Sequence, residues 1–430
     1  MVSRSWFFVD DFEVASPLIA PTKLYQHQLP CGLTILGQMM PWLRSASFAI
    51  AVPAGSQFER KSEWGLAGFV CEMVQRGAGP YSSRDVVALA DNLGLDRTSS
   101  VSTAHTSLGA SLPAQSLLAA IDLFAHVVLR PHLPSDQMED ARSVSLQELR
   151  AAEDEPAQRV MMRLKEKHYG EGLGHSLLGT ATSLQQIDHD AVKRFFQTHY
   201  QPSDAIFSVA GSFDWPEVVG EVERLFGNWA IGEQNRVPER TFQPGYEHIE
   251  HPSQQTHIGF SFPALAYDDP DYFTLRAAVG VLSDGMSSRL FDRVREQRGL
   301  CYTVSASTHS LRGCGGVFGY AGTTPQRAQE TLDVTLAEIR KLGVTVQDDE
   351  LDRFKVRIQS QLVMQQESSG ARAAAMATDW YYLGRMLQPS EIEAKIDAVT
   401  PAEIAMLWER LGLGEMCIVT LGPERLVVSS

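Results

Sequence analysis

The chain has 430 residues, with 37 Lys and Arg against 52 Asp and Glu, a formal net charge of −15. Hydrophobic residues at 44% and charged residues at 21% are those of a globular protein of about two to four domains, which excludes a disordered chain. The acidic balance excludes a phosphate-backbone binder, which would gather Lys and Arg on one face, so no nucleic-acid partner is expected.

The cysteines Cys31, Cys71, Cys301, Cys314 and Cys417 are odd in number, and no pair is spaced C-x-x-C. Neither a zinc knuckle nor a disulfide framework is indicated, and free thiols fit a reducing compartment. At the N-terminus, Asp10, Asp11 and Glu13 interrupt the apolar run a signal peptide needs and are too acidic for a transit peptide. No stretch approaches the roughly 18 apolar residues of a membrane span. A soluble cytoplasmic protein, with no membrane partner, is the expectation.

In chain order, Leu33–Leu36 and Ser47–Val52 read as strands. Helical periodicity over Ser116–Arg130 puts Leu117, Leu118, Ile121, Phe124, Ala125 and Val128 on one face, and Pro131 stops the helix. A second helix starts near Ser135–Asp136 and runs towards Pro156. The strand Ala205–Ala210 leads into an amphipathic helix with Asp214 and Glu217 spaced as a capping box and Pro216 in the first turn. The second half replays this order, with a strand over His257–Phe262 and a helix over Asp271–Leu282. Ser107-Leu108 overlays Ser310-Leu311 at an offset of 203, and Asp136-Gln137-Met138 overlays Asp349-Glu350-Leu351 at 213, with Leu149 on Leu362. A duplicated unit of about 210 residues follows, with an insertion in its second copy. Ile231–Pro244 is the linker, giving domains at 1–230 and 245–430. The fold class is α+β, each domain a mostly antiparallel sheet with helices packed on one face.

No metal motif is present: the 12 histidines include no H-E-x-x-H or its inverse. His248-Ile-Glu-His251 is the closest pair and reads as a solvated loop beside the linker. His105 and His309 read as structural residues in corresponding strand regions. G-x-S-x-G and G-x-x-x-x-G-K-[ST] are missing, and the glycines from Gly313 to Gly319 read as places where strands approach closely. One segment remains, Asp284 to Val304. Leu290, Phe291 and Val294 line one helical face, Gly299 stops the helix, and Arg298 sits at its negative pole. Arg298 and Tyr302 can be packing residues. Together they also place a planar fork of donors and a phenol on either side of a tight turn, a pair able to hold a carbonyl oxygen or oxyanion.

The run S-S-R-L-F…V-R-E-x-R-G-L-x-Y, over Ser287 to Tyr302, resembles the pitrilysin/insulinase-like zinc peptidases, which include the mitochondrial processing peptidase subunits and bacterial relatives. Gly32-Leu33, Gly55-Ser56, Glu59, Leu178-Gly-Thr180, Tyr200-x-Pro202, Val209-Ala-Gly211, Asp269-Pro-Asp-Tyr272, Val399-Thr-Pro401 and Leu421-Gly-Pro423 extend the resemblance over nearly the whole chain. The family's H-x-x-E-H follows a G-L-A triplet; here Gly65-Leu-Ala67 is followed by Gly68, Phe69, Val70, Cys71 and Glu72. Gly68 and Glu72 stand at the two histidine positions and Cys71 at the general base. Glu148 falls near the third ligand and reads as a helix-surface residue. Three protein ligands are needed for a catalytic zinc, so no metal is expected in this chain.

Arg298 and Tyr302 stand where the family orients substrate and stabilises the transition state. In its two-chain members one subunit carries zinc and the other lends this pair. The resemblance therefore implies the non-catalytic subunit of a heterodimeric zinc metalloendopeptidase, zinc residing in an H-x-x-E-H partner and unfolded peptides as substrate. The charge of −15 is consistent with basic peptides. Only Ser283-Asp-Gly285 precedes Met286, so the long glycine-rich lid of the mitochondrial α-subunit is missing. The alternatives are a catalytically silent core-type scaffold and a peptide-binding homodimer using exposed sheet edges.

Overall fold

The computed structural model describes residues 23–232 and 238–428. The N-terminal stretch with Asp10, Asp11 and Glu13 lies outside the described residues, as do residues 233–237 of the expected linker.

The first half runs β1 (Leu24–Gln28), β2 (Thr34–Met39), β3 (Ser45–Val52), α1 (Leu66–Met73), α2 (Ser83–Leu93), β4 (Asp96–Val101) and β5 (Thr106–Pro113). It continues with α3 (Leu117–Leu129), α4 (Met138–Asp154), α5 (Pro156–Tyr169), α6 (Glu171–Gly174), α7 (Ala181–Gln186), α8 (His189–His199), β6 (Ile206–Gly211) and α9 (Trp215–Phe226). The second half runs β7 (Gly245–Glu250), β8 (Thr256–Ala264), α10 (Tyr272–Ser283), β9 (Cys301–Leu311), β10 (Cys314–Thr323), α11 (Ala328–Thr345) and α12 (Asp348–Gln365). Then come α13 (Ser369–Leu383), α14 (Pro389–Asp397), α15 (Pro401–Leu411) and β11 (Cys417–Gly422).

Among the described residues the strands form two sheets, ordered β1-β2-β6-β3-β5-β4 and β7-β11-β8-β10-β9. Only β2–β6 and β7–β11 pair in parallel; the other neighbours are antiparallel. The α+β class and the two similar domains stand as read. Asp214 accepts from the Glu217 amide at 3.0 Å, so one arm of the expected capping box forms.

Two corrections concern the repeat. Matching the sheets position by position pairs β4 with β9 and β5 with β10. Ser107 lies on β5 but Ser310 on β9, so that overlay joined strands that are not equivalent. Gly94-Leu95 and Gly299-Leu300 are the equivalent turn: both glycines are left-handed, at φ 71° and 61°, and each ends a helical segment before an edge strand. Thr98 then matches Thr303 at an offset of 205, whereas their cross-strand partners Gly109 and Gly322 differ by 213. The insertion is the longer β9–β10 hairpin. His105 and His309 consequently do not correspond, His105 lying in the β4–β5 turn and His309 on β9. His248 is no loop residue: it sits on β7 and shares a hydrogen bond of 2.9 Å with Thr420.

Each half packs its own helices on one face of its sheet. On β3, Ala46, Phe48, Ile50 and Val52 point into that core with α1, α3, α8 and α9, following the two-residue period of a strand. The opposite faces are closed by exchange. Helix α13 of the second half lies on the first sheet, where Ala373 and Met376 meet Leu36, Met40, Ala51, Ile206 and Ala210. Helix α5 of the first half lies on the second sheet, where Val160, Leu164 and Tyr169 meet Phe318, Cys417, Val419 and Leu421. Polar seams run along both contacts. Ser47 shares a hydrogen bond of 2.8 Å with Ser369, and buried Arg372 donates to Gln38 at 2.7 Å.

His168, at the end of α5, is fully buried. Arg240 donates to its Nε2 at 3.2 Å, and arginine cannot accept, so Nε2 carries the lone pair and Nδ1–H donates to Ser261 at 3.0 Å. Burial, then the Arg240 charge, holds its pKa down at about 3. Protonation therefore favours the unfolded chain: this contribution to stability is complete above the unfolded value of 6.5 and is lost as pH falls towards 3. Between pH 7 and pH 5 we expect a loss of about 2 kcal/mol from this residue. Urea midpoints at the two pH values check it, and in His168→Leu the difference should shrink by that amount.

Candidate active-site face

Helix α1 begins where two backbones touch. Gly65 is its N-cap, at φ 92°, and the buried Glu59 carboxylate accepts from the Gly65 and Ala67 amides at 2.8 and 2.7 Å. Burial raises the pKa of Glu59, and His175 faces it with Nε2 3.0 Å away. The other nitrogen, Nδ1–H, donates to the Glu171 carbonyl at 2.8 Å while the ring stacks on Trp64 at 4.9 Å. This clamp fixes the start of the helix, independently of any metal.

Along α1, Gly68 offers no donor atom, although the space around it is open: an added Cβ would meet only the Leu177 carbonyl, at 3.7 Å. Cys71 is buried, and burial, with the Glu72 charge behind it, pushes its thiol up to about 12. The same sulfur feels a hydrogen bond from Ser99 of β4 and the charge of Glu148 on α4. Cys71, Glu72 and Glu148 thus lie near one another where α1, the edge strand β4 and α4 meet. Glu72 is held by Arg76 at 2.8 Å, and Glu148 is exposed, as read from the sequence.

A catalytic zinc needs three ready ligands. The donors here are a thiol held neutral, a carboxylate engaged by arginine, an exposed glutamate and a glycine. They do not fit the ion. Among the described residues no group of three or more His, Cys, Asp or Glu is placed to hold a metal.

The second region lies at the edge of the other sheet. Ser288 closes a turn onto the Gly285 carbonyl at 2.7 Å, and Arg289, buried, is tied to Glu350 at 2.8 Å and Thr345 at 2.7 Å. Residues Phe291–Glu296 then form a π-helical turn rather than the plain helix expected. Gly299 closes it, its amide reaching the Arg295 carbonyl at 2.9 Å while Leu300 reaches Val294 at 3.0 Å. Arg298 is exposed in this turn and donates to the Arg293 carbonyl at 2.7 Å.

Tyr302, the second residue of β9, is 80% exposed. Cross-strand pairing jumps from Gly322–Thr303 to Thr323–Cys301, leaving Tyr302 as the extra residue of a β-bulge. In the other half Arg97, at the equivalent position of β4, is paired regularly with Ala110. Bulges re-aim side chains. Arg295 lies 4.8 Å from the Tyr302 ring centroid and 4.5 Å from that of Phe291, bracketing the exposed phenol from the π turn. Sequence reading overlooked Arg289 and Arg295; the compact S-S-R-L-F…V-R-E run held both, but periodicity gave them no role. Arg298 and Tyr302 thus share one turn at the edge of the second sheet, while Gly68, Cys71 and Glu72 sit over the first.

Two family models match the chain. The model described as insulinase (peptidase family M16) covers residues 38–181, and the peptidase M16 inactive domain covers residues 186–357. This chain belongs to peptidase family M16. Among its relatives, a protein of Rickettsia bellii is 27% identical over 407 residues, 93% of this chain and 97% of the relative. One of Streptomyces coelicolor is 28% identical over 390 residues, 87% and 84% of the two chains. Both are named as uncharacterized zinc proteases. The fold is shared with the M16 inactive domain from Pseudomonas fluorescens, at a TM-score of 0.83 and 19% identity over 94% of this chain and 99% of that one. It is shared too with a protease from Helicobacter pylori, at 0.85 and 17% over 94% and 100%. Among the described residues no helix is long and apolar enough to cross a membrane.

Proposed function

We propose that this M16 chain is the non-catalytic subunit of a heterodimeric zinc endopeptidase and lends Arg298 and Tyr302 to a partner bearing H-x-x-E-H. The observation that carries the reading is the bulge that turns Tyr302 outward, 80% exposed, from an otherwise regular edge strand. A packing tyrosine at the start of a strand would be buried; this one is presented. The partner's zinc would supply the Lewis acid and the activated water. The Tyr302 hydroxyl would donate a hydrogen bond to the oxyanion as the scissile carbonyl becomes tetrahedral, and the Arg298 fork would hold the neighbouring peptide carbonyl. Arg295 keeps the Tyr302 ring in place between turns. Unfolded peptides suit such a site, since an extended backbone presents its carbonyls to donors at a sheet edge.

Mixing this chain with the H-x-x-E-H subunit should give zinc-dependent endopeptidase activity that neither shows alone. Arg298→Ala and Tyr302→Phe should each lower kcat/KM of the mixture by about 10²–10³, the weight of one oxyanion donor. A mixture whose kcat/KM is unmoved by either change would sink the proposal. An inactive but tight complex would favour the core-type scaffold.

A further inference from the structure

A cavity of about 710 Å³ lies between the two halves, on ground used neither by α1 nor by the Arg298 turn. The β4–β5 turn forms one wall and the β9–β10 tip another; α13 and the end of α5 complete it. Its charged lining is Lys165, Arg240 and Arg312 against a single acid, Glu239, in a chain whose net charge is −15. Among the described residues, none of the three cations takes part in an ion pair. Arg240 is engaged by neutral His168 and by the Tyr169 and Phe242 rings, and Arg312 by the Tyr381 carbonyl at 3.1 Å and its ring, so neither is matched by a carboxylate at ion-pair distance. Partly buried Lys165 has its pKa lowered by burial alone. Ser310, on the same wall, has a buried hydroxyl without a hydrogen-bond partner. Protein interiors rarely leave such groups unmet.

We infer that this cavity binds a small organic anion, its carboxylate or phosphate held by Lys165, Arg312 and the Ser310 hydroxyl. The body of the ligand would lie against the apolar sheet residues Ala51 and Ile206 and the rings of Tyr381 and Tyr382. The volume is that of an ordinary small-molecule site. Because the walls come from both halves, an occupant would bridge them and stabilise the folded chain in proportion to its saturation.

The experiment is calorimetric titration of the whole chain with phenylacetate and, separately, phenyl phosphate, at ionic strength matched with sodium chloride; the two arms separate carboxylate from phosphate. Binding of at least one probe below about 10 mM is expected. Lys165→Met and Arg312→Gln should each weaken it about tenfold to a hundredfold, the weight of a hydrogen bond to a charged group. Without ligand, Lys165→Met should raise the unfolding temperature, since it removes a partly buried charge with no counter-ion. Arg312 is exposed, so its variant serves even where Lys165→Met fails to fold. Failure of both probes to bind, or equal affinity in the wild-type chain and a folded variant, would overturn the inference.

Discussion

Gly179→Val should destabilise the chain by about 3 kcal/mol or more, read as a fall in the urea midpoint. Gly179 is left-handed, at φ 69°, a region that costs any side chain and a β-branched one most. A Cβ there would lie 2.1 Å from the Trp64 carbonyl oxygen and 2.9 Å from the Gly65 nitrogen. Both are backbone atoms, so no side chain can swing aside. Nor can the backbone retreat, because the Glu59 clamp and the Ser183 hydroxyl, which donates to the Trp64 carbonyl at 2.7 Å, hold that segment. Gly384→Ala is the control: Gly384 is also left-handed, at φ 64°, but an added Cβ meets nothing within 4 Å. It should cost only about 1 kcal/mol. Equal effects of the two substitutions would show that the Gly65–Gly179 contact carries no special weight. The contact also gives Gly65-Leu-Ala67 and Leu178-Gly-Thr180 a structural role of their own: they build the start of the helix.

What could be read from the residues divides along physical lines. Helix and strand positions were legible because their periods are local; α3 and β3 fall where apolar spacing put them. The duplication was legible through Leu149 and Leu362, both buried on equivalent helices, but its first overlay failed. Two-residue matches within strands carry little information. The better marker, Gly94-Leu95 against Gly299-Leu300, rests on a left-handed turn that only the backbone reveals. His248 looked like a loop because a strand paired in parallel at a sheet edge has little alternation to show. At the candidate site, the poor donor set of Gly68, Cys71 and Glu72 could be read from residue type alone, since ligand chemistry is a property of side chains. The bulge at Tyr302 could not: it depends on which residue of β10 each residue of β9 faces. Periodicity likewise says that one face of α5 or α13 is buried, and is silent on which sheet buries it.

That silence leads to the largest expected effect. Residues 1–232 and 238–430, produced as separate chains, should each fail to give a native, soluble monomer. Without α13, the first sheet would expose Leu36, Met40, Ile206 and the surface that Met376 covers. At about 1.5–3 kcal/mol for each large side chain taken out of water, those three contribute on the order of 4.5–9 kcal/mol. Whole domains are stable by only about 5–15 kcal/mol, so the loss is comparable to everything that holds a half together. The second sheet fares no better without α5, which covers Phe318, Val419 and Leu421 and brings buried His168 to Ser261. Each isolated half should therefore bind a hydrophobic dye strongly and aggregate, whereas co-expression of the two should restore a one-to-one complex with native near-UV circular dichroism. A single half that proves monomeric, dye-silent and cooperatively folded would contradict the exchange. The same reciprocity constrains the proposed function: a turn presenting Arg298 and Tyr302 to a partner keeps its geometry only while α5 and α13 are in place. Substitutions beneath these helices should then weaken activity of the mixture as surely as changes at the turn itself.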